Sequence, residues 1–287
     1  CIGYSEIDKY AIQVYNKQFN HKNYGDITTI EPKELPDFDC LVGGFPCQSF
    51  SIAGKRKGFE DTRGTLFFDI ARILRDKTPR LVVLENVKGL LSHDKGATFQ
   101  TILGVLADLG YFVEWQVLNS KNFGVPQNRE RVFIIGYFGG FPRRKVFPIG
   151  ESNQANNEAS QQPTTKGEVA QTITATYWKG GKGSQIVKPV LTPDRPEKRQ
   201  NGRRFKEDGK PSFTLTSQDK HGVMVDSKIR RLTPTECERL QGFPDNWTAK
   251  GINEKEEVDI SDTQRYKMCG NAVTTNVIKE IFNKLDI

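Results

Sequence analysis

Runs of apolar residues in the first half of the chain predict strands. Cys40–Val42 and Leu81–Val87 have the length and composition of buried strands. Glycines end the first run abruptly, and the second carries polar residues near its end. Further strands are expected at Cys1–Ile7, Phe112–Leu118 and Val132–Tyr137. The pattern therefore predicts a sheet within the first part of the chain.

Helical spacing of apolar residues separates most of these runs. It occurs after Asp8, which is placed to cap a helix, and again in Thr65–Arg75 and Ala97–Leu109. Strand and helix alternate as far as Leu109, which favours a parallel sheet with helices on its faces. No helix separates the last two strands, so that pair is open to form an antiparallel edge.

Reactive side chains follow two of the predicted strands. Cys47 comes just after the first apolar run, and Glu85 lies near the end of the second. If these strands are parallel neighbours, a thiol and a carboxyl face one crevice at the edge where such sheets bind ligands. The polar, basic segment Ser49–Gly58 suits a loop that contacts phosphates. Taken alone, Cys47 is more readily interpreted as a small buried packing residue, and it is the second strand with Glu85 that favours a reactive thiol.

The pattern changes after Gly139. Residues 151–165 are polar, and the following region is basic and rich in glycine and threonine, which favours short strands and loops. Regular structure is expected again where Thr233, Pro234 and Glu236 form a helix-start signature, and in a last helix from about Asn271.

Composition narrows the possible functions. The chain of 287 residues carries a formal charge of +7. Residues 179–231 alone hold 14 Lys and Arg against 6 Asp and Glu. Aromatic residues are interleaved with these charges, and the combination favours a nucleic-acid surface over a merely solvated face. Five cysteines without a C-x-x-C pair and three scattered histidines predict no disulfide framework and no metal site. No run approaches the roughly 20 apolar residues of a membrane helix, and we expect a cytoplasmic, nucleoid-associated protein.

Four stretches occur in an order typical of one family. They are Gly44–Ser51 (GFPCQSFS), Glu85–Val87 (ENV), Gln127–Arg131 (QNRER) and Gly270–Val273 (GNAV). The set resembles the DNA (cytosine-5) methyltransferases of the bacterial restriction-modification type, from about residue 1 to residue 283, with a weak match at about 140–226. The resemblance implies an α/β fold of the Rossmann-like, S-adenosylmethionine-dependent class, with a parallel-type sheet and helices on both faces. It also implies a smaller, irregular β-rich target-recognition domain.

The resemblance also assigns domains and roles. Residues 1–139 with 262–287 would form the catalytic domain, and 140–261 the target-recognition domain. Cys47 would add to carbon 6 of a flipped-out cytosine, Glu85 would contact the base, and Arg129 and Arg131 would line the active site. Arg131 would support both the target base and the carboxyl of Glu85. S-adenosylmethionine, which leaves as S-adenosylhomocysteine, would contact Glu6, Ile7, Asp26, Ile27, Pro46, Leu66, Asn271 and Val273. DNA would contact Gln48, Ser49, Ser51, Lys55, Arg56, Thr172, Thr214 and Arg230.

Some questions stay open at the level of sequence. The family's glycine-rich F-x-G-x-G turn, which cradles the cofactor, is absent, so we expect either a truncated chain or a turn supplied by another chain. The alternatives are a tRNA cytosine-5 methyltransferase on the same fold, or an inactive DNA-binding fragment that needs an amino-terminal partner. The expected partners are double-stranded DNA, bound by a monomer, and a cognate restriction endonuclease as genetic partner, with no membrane.

Overall fold

A computed structural model describes residues 1–46, 66–140, 145–150, 188–194, 204–207, 209–225 and 228–285. These residues form two compact units. Unit 1 comprises Cys1–Ile12, Phe19–Leu118 and Glu130–Ile149, and unit 2 comprises Gln13–Gln18, Asn119–Arg129 and Gly150–Ile287. The domain division expected from the resemblance stays a prediction.

The main sheet of unit 1 has four strands within the described residues. Strand β3 (Cys40–Gly44) pairs in parallel with β4 (Leu81–Val87), as required for a thiol and a carboxyl to follow neighbouring strands. Strand β6 (Glu130–Phe138) runs antiparallel to β4 and lies between it and β5 (Tyr111–Asn119). The sheet is therefore mixed, with its antiparallel strand inserted beside β4.

Two helices of unit 1 bury an apolar face against this sheet. They are α2 (Leu66–Lys77), which buries Phe67, Ile70 and Leu74, and α3 (Ala97–Asp108), which buries Phe99, Ile102 and Leu106. The first four residues of β4 are all buried, as expected for a strand covered on both faces. The helical spacing in the sequence thus predicted both helices to within about one turn.

The amino-terminal part of unit 1 is less regular than the sequence suggests. Strand β1 covers only Gly3–Tyr4 and pairs in parallel with β2 (Lys22–Asn23). The predicted strand to Ile7 is wrong in extent, because Glu6 Oε1 accepts hydrogen bonds from the next two backbone amides at 2.8 Å each and turns the chain there. Helix α1 (Lys9–Gln18) then begins, with Asp8 Oδ1 accepting from the amide of Tyr10.

From Gly150 onwards, the described residues of unit 2 form short strands and helices. The elements are the three-stranded antiparallel sheet of β7 (Lys188–Leu191), β8 (His221–Val225) and β9 (Lys228–Arg231), the hairpin of β10 (Lys250–Asn253) and β11 (Glu256–Asp259), and the helices α4 (Pro234–Leu240), α5 (Asp262–Asn271) and α6 (Thr275–Lys284). Thr233 and Glu236 form the predicted capping box of α4.

The expected last helix from Asn271 is wrong at its start. Helix α5 ends at Asn271, the backbone of Ala272 is extended, and α6 begins only at Thr275. The break has a physical cause, because the Thr274 hydroxyl is buried and bonded to other side chains while the Ala272 carbonyl accepts from Arg129. Among the described residues, no helix is long and apolar enough to cross a membrane.

Candidate active site

The candidate site of unit 1 lies where β3 and β4 end side by side. Gly44 is the register partner of Glu85. A Cβ atom added to Gly44 would lie 3.3 Å from Glu85 Oε2, tighter than an ordinary contact, so the glycine leaves room for the carboxyl. Glu85 is thus held above the last residue of β3, three positions before Cys47 in the sequence.

Arg131 fixes the orientation of this carboxyl. Its Nε lies 2.8 Å from Glu85 Oε1, and the two side chains are only 15% and 18% exposed. Burial lowers the pKa of Arg131, and the charge of Glu85 and its hydrogen bond oppose that shift. An arginine ordinarily titrates so far above neutrality that it stays a cation here. The resemblance implies this contact between Arg131 and Glu85, while the part of both residues in catalysis stays a prediction.

Asn86 connects the two strand ends, a role that the sequence reading missed. Its Nδ2 donates to the carbonyl of Phe45 at 2.7 Å, and its Oδ1 accepts from the amide of Val87 at 2.8 Å. Asn86 is only 3% exposed, and its bond to the Phe45 carbonyl is shielded from water. The signal available was a polar residue inside the apolar run LVVLENV. Asn86 anchors the backbone shortly before Cys47.

Several of the predicted site residues lie outside the part of the chain that the structure describes. Cys47 itself lies there, together with the expected DNA contacts Gln48, Ser49, Ser51, Lys55, Arg56 and Thr172.

Three of the four cysteines in the described part of the chain are poorly suited to act as nucleophiles. Burial raises the pKa of Cys40 to about 11 and that of Cys269 to about 12, and it also raises the pKa of Cys237. The nucleophile in cysteine chemistry is the thiolate, which these three thiols form sparingly near neutral pH. The fourth, Cys1, is exposed.

A second group of candidates lies where β1 and β2 end in parallel. Asn23 joins the segments beyond the two strands, because its Oδ1 accepts from the amides of Glu6 and Gly25 and its Nδ2 donates to the Glu6 carbonyl. Asp26 is exposed, and hydrogen bonds from Thr28 lower the pKa of its carboxyl. The structure therefore brings Glu6 and Asp26 to one end of the small sheet. Sequence reading had not identified Asn23 as the connecting residue.

The remaining cofactor candidates in unit 1 present apolar surface. Ile7 is 72% exposed, which is unusual for an isoleucine, and Pro46 is also exposed. Ile27 and Leu66 are half-buried against the core. The other two candidates belong to unit 2, where Asn271 is the exposed last residue of α5 and half-buried Val273 lies in the link to α6.

Arg129 is bound within unit 2, where it is only 2% exposed. Its guanidinium donates to the carbonyls of Leu215 and Ala272 at 2.8 Å each, and to that of Gly270 at 3.2 Å. A guanidinium that bonds several backbone carbonyls holds loops together. These contacts give Arg129 a holding role for two segments, whereas the sequence interpretation placed it in the active-site wall.

Further buried side chains of unit 2 hold the same segments. Gln127 is fully buried, donates to the carbonyl of Leu240 and accepts from the amide of Leu215, both at 2.8 Å. Gln241, also fully buried, donates to the Cys269 carbonyl and accepts from Thr274. Sequence reading singled out neither glutamine for this role, because their partners are distant in sequence.

The two DNA-contact candidates of unit 2 that the structure describes have protein partners. Thr214 Oγ1 donates to the carbonyl of Asn128 at 2.6 Å. Arg230 makes a bidentate ion pair with Glu236, at 2.9 and 2.8 Å, and its side chain is 39% exposed.

Within the described ranges, no group of His, Cys, Asp and Glu could hold a metal ion.

The chain is similar to known proteins over nearly its whole length. The model of a family described as C-5 cytosine-specific DNA methylase matches residues 1–286. The Type II methyltransferase M.NgoBI of Neisseria gonorrhoeae is 40% identical, over 96% of this chain and 82% of that protein. The Type II methyltransferase M.HhaI of Haemophilus parahaemolyticus is 37% identical, over 98% and 86% of the two chains.

Solved structures are similar in fold. The crystal structure of the S. pombe Dnmt2 methyltransferase matches with a TM-score of 0.67 and 18% identity, covering 98% of this chain and 89% of that one. A putative DNA modification methyltransferase encoded within an E. coli prophage matches with a TM-score of 0.59 and 16% identity, over 99% and 92% of the two chains. These likenesses confirm the predicted α/β fold class.

Proposed function

This chain belongs to the C-5 cytosine-specific DNA methylase family, and from that premise we propose that it methylates carbon 5 of cytosine through a covalent adduct with Cys47, with S-adenosylmethionine as the methyl donor. Membership makes the chain a DNA cytosine-5 methyltransferase of the restriction-modification type. The observation that carries the proposal is the half-buried ion pair between Glu85, near the end of β4, and Arg131, on the adjacent strand β6. It lies beside the end of β3, from which the chain runs on to Cys47.

The proposed reaction begins with the Cys47 thiolate. Carbon 5 of cytosine is a weak nucleophile, and formation of a sulfur bond to carbon 6 makes it an enamine carbon that can take up a methyl cation. A base then removes the proton from carbon 5, the electron pair re-forms the ring double bond, and the sulfur leaves as thiolate. Bound S-adenosylmethionine would supply the methyl group as a sulfonium and leave as S-adenosylhomocysteine.

Glu85 is proposed to recognise and polarise the base. Its carboxyl would contact ring nitrogen 3 and the exocyclic amine, so that a proton at nitrogen 3 offsets the negative charge that develops when sulfur adds. Arg131 would keep the carboxyl in this orientation through its Nε, at 2.8 Å. Arg131 is proposed to support the base as well, while the contacts of Arg129 favour a positioning role in unit 2.

The residues at the end of β1 and β2 fit the adenosine part of the donor. The carboxylates of Glu6 and Asp26 offer acceptors for ribose hydroxyls and an adenine amine, and the exposed face of Ile7 is an apolar surface that an adenine ring would cover. We assign Ile27, Pro46, Leu66, Asn271 and Val273 to the same donor on the basis of the resemblance. A direct test is equilibrium binding of S-adenosylmethionine to the Asp26→Ala protein, where weaker binding is expected.

Duplex DNA is the proposed substrate, bound by a monomer. The target base lies inside the stack, and swinging it out costs a few kcal/mol. We assign Gln48, Ser49, Ser51, Lys55 and Arg56 to contacts with the duplex around the extruded base. Thr172, Thr214 and Arg230 are assigned to contacts with the recognition sequence. A cognate restriction endonuclease as genetic partner and an association with the nucleoid are part of the same proposal.

The decisive experiment traps the adduct. The protein expressed from its own gene is incubated with S-adenosylmethionine and duplex DNA that contains 5-fluorocytosine at the target, which bisulfite sequencing of methylated DNA first identifies. Fluorine replaces the proton that a base would remove from carbon 5 after methylation. The sulfur therefore cannot leave, and we expect a covalent complex that mass spectrometry maps to Cys47. Cys47→Ala should form no complex and methylate no cytosine, while DNA binding is largely retained.

The matched control is Cys1→Ala, which removes an exposed thiol and should leave trapping unchanged. A complex that forms equally well with Cys47→Ala would refute the proposed nucleophile. The assay is repeated with tRNA in place of duplex DNA. Preferential methylation of tRNA would favour the alternative substrate and contradict the assignment to DNA.

A further inference from the structure

We propose that a cavity in unit 2, lined by Lys121, Lys206 and Lys210, binds a phosphate group of the DNA backbone. The inference rests on the proposed function, because it takes duplex DNA as the substrate. The cavity has a volume of about 240 Å³, and Asn128, Glu207 and Phe213 also line it. Three lysines face one glutamate, so the lining is net positive. A concave, cationic surface of this kind suits a phosphate diester.

Lys206 is held in place before any ligand arrives. Its Nζ donates to the carbonyls of Pro211 and Ser212 at 2.7 and 2.9 Å and lies 4.8 Å from the centroid of the Phe213 ring. An ammonium group has three donors, and the two carbonyls account for two of them. A lysine fixed in this way loses little conformational freedom when an anion binds.

Electrostatic repulsion between lysines favours an anion in the cavity. Burial is the main cause of the lowered pKa of Lys206, and the charge of Lys121 adds to it. The nearby Glu207 acts in the opposite sense, but its carboxylate lies 3.9 Å from Lys210 Nζ and is 65% exposed, so water screens it. A bound phosphate would relieve the repulsion that depresses the pKa of Lys206.

Asn128 links the cavity to the segment assigned to DNA. Its Oδ1 accepts from Asn119 Nδ2 at 2.8 Å, which orients the amide, and its backbone carbonyl accepts from the Thr214 hydroxyl. The cavity wall is therefore bonded directly to a residue proposed to contact the recognition sequence. This neighbourhood favours a backbone phosphate of bound DNA over a free anion as the occupant.

The test is the salt dependence of DNA binding by Lys121→Ala/Lys210→Ala. Lys206 is left intact because its ammonium also holds backbone carbonyls. Loss of one phosphate contact should reduce the slope of log Kd against log salt by about 0.9, and weaken binding roughly eightfold at ~0.1 M salt, since each contact contributes a factor of salt to the power 0.9. The loss should be equal for duplexes with and without the target sequence.

Three comparisons make the result interpretable. Lys121→Arg/Lys210→Arg keeps the charge and should restore the slope, and Lys279→Ala, which removes an exposed lysine of α6, should leave it unchanged. An unchanged slope in the alanine variant overturns the proposal. The same holds if calorimetry with inorganic phosphate shows binding that the alanine variant loses while its DNA binding stays that of the parent, because the site would then take small anions.

Failure of the phosphate site is separable from failure of the proposed function. The parent protein is tested for the Cys47 adduct in the same preparation. An adduct with an unchanged salt slope overturns the cavity assignment alone. Absence of the adduct overturns the proposed mechanism, whatever the salt slope.

Discussion

Arg129 and Arg131 lie two positions apart in the stretch QNRER, yet they do different work. Arg131 belongs to unit 1, where its Nε binds the carboxylate of Glu85. Arg129 belongs to unit 2, where its guanidinium binds the carbonyls of Leu215, Gly270 and Ala272. One motif therefore supplies a group that orients the carboxyl proposed to act on the base and a group that holds backbone segments.

The two units also differ in how they are stabilised. Unit 1 buries a large apolar cluster between its sheet and helices, with Phe67, Leu74 and Leu84 fully buried. Unit 2 has a smaller apolar cluster and adds buried polar side chains, among them Gln127 and Gln241. Because its strands are short, they form few backbone hydrogen bonds with one another. Side chains must therefore bond the buried amides and carbonyls that remain. We therefore expect substitutions at the proposed site in unit 1 to change kcat with little effect on the free energy of unfolding. Substitutions of buried polar residues in unit 2 should lower the free energy of unfolding.

The largest effect is expected for Glu85→Gln. Gln keeps the shape of the side chain but has neither the negative charge that pairs with Arg131 nor a carboxyl that can exchange a proton with the base. We therefore expect kcat to fall by about a thousandfold, within the range for loss of a general acid or base. The free energy of unfolding should change by less than about 1 kcal/mol. Steady-state methylation and urea denaturation measure the two quantities.

Glu130→Gln is the matched control for this change. It removes a carboxylate that pairs with Lys88 on the surface, where both side chains are well exposed, and it should leave kcat near that of the parent. A Glu85→Gln protein as active as the parent would remove Glu85 from the site.

A smaller effect, on stability, is expected for Arg129→Met. The change leaves the three carbonyls without their donor, and we expect a loss of at least about 3 kcal/mol, since each unsatisfied buried group costs about 1–3 kcal/mol. Urea denaturation measures the loss. Arg131→Met serves as the contrast, because it should reduce kcat more than stability. Equal effects of both substitutions on both quantities would contradict the division of roles.

The smallest effect concerns the pH dependence of unit 2. Burial lowers the pKa of His221 to about 4, and its neutral Nε2 accepts from the amide of Thr216 at 3.3 Å. A lowered pKa means that folding favours the neutral imidazole. The resulting contribution to the free energy of unfolding is fully present above about pH 6.5 and is lost as the pH falls towards 4. Between pH 7 and pH 5 the loss should be about 2 kcal/mol.

His221→Gln isolates this contribution. Gln offers an amide oxygen to the Thr216 amide but does not titrate, so the difference between the unfolding free energies at pH 7 and pH 5 should shrink by about 2 kcal/mol relative to the parent. An identical pH dependence in both proteins would show that His221 does not protonate on unfolding in this range.

Local patterns were sufficient where the structure is itself local. The apolar runs predicted β3 and β4, helical spacing predicted α2 and α3, and the signature at Thr233 predicted the start of α4. The ordered motifs identified the family and placed Glu85 beside Arg131. These features depend on residues close in sequence, or on motifs whose order along the chain is itself informative.

Tertiary structure decided what depends on distant partners. The position of β6, antiparallel beside β4, is visible only in the fold. The same holds for the bond from Asn86 to the Phe45 carbonyl and for the bonds from Arg129 to carbonyls 86 to 143 positions away in the sequence. No periodicity encodes such contacts, because a buried donor bonds whichever carbonyl the folded chain brings within reach. The sequence alone therefore determined β3, β4, α2, α3 and the family, and the three-dimensional arrangement determined which polar side chains orient the proposed reacting carboxyl and which hold the backbone.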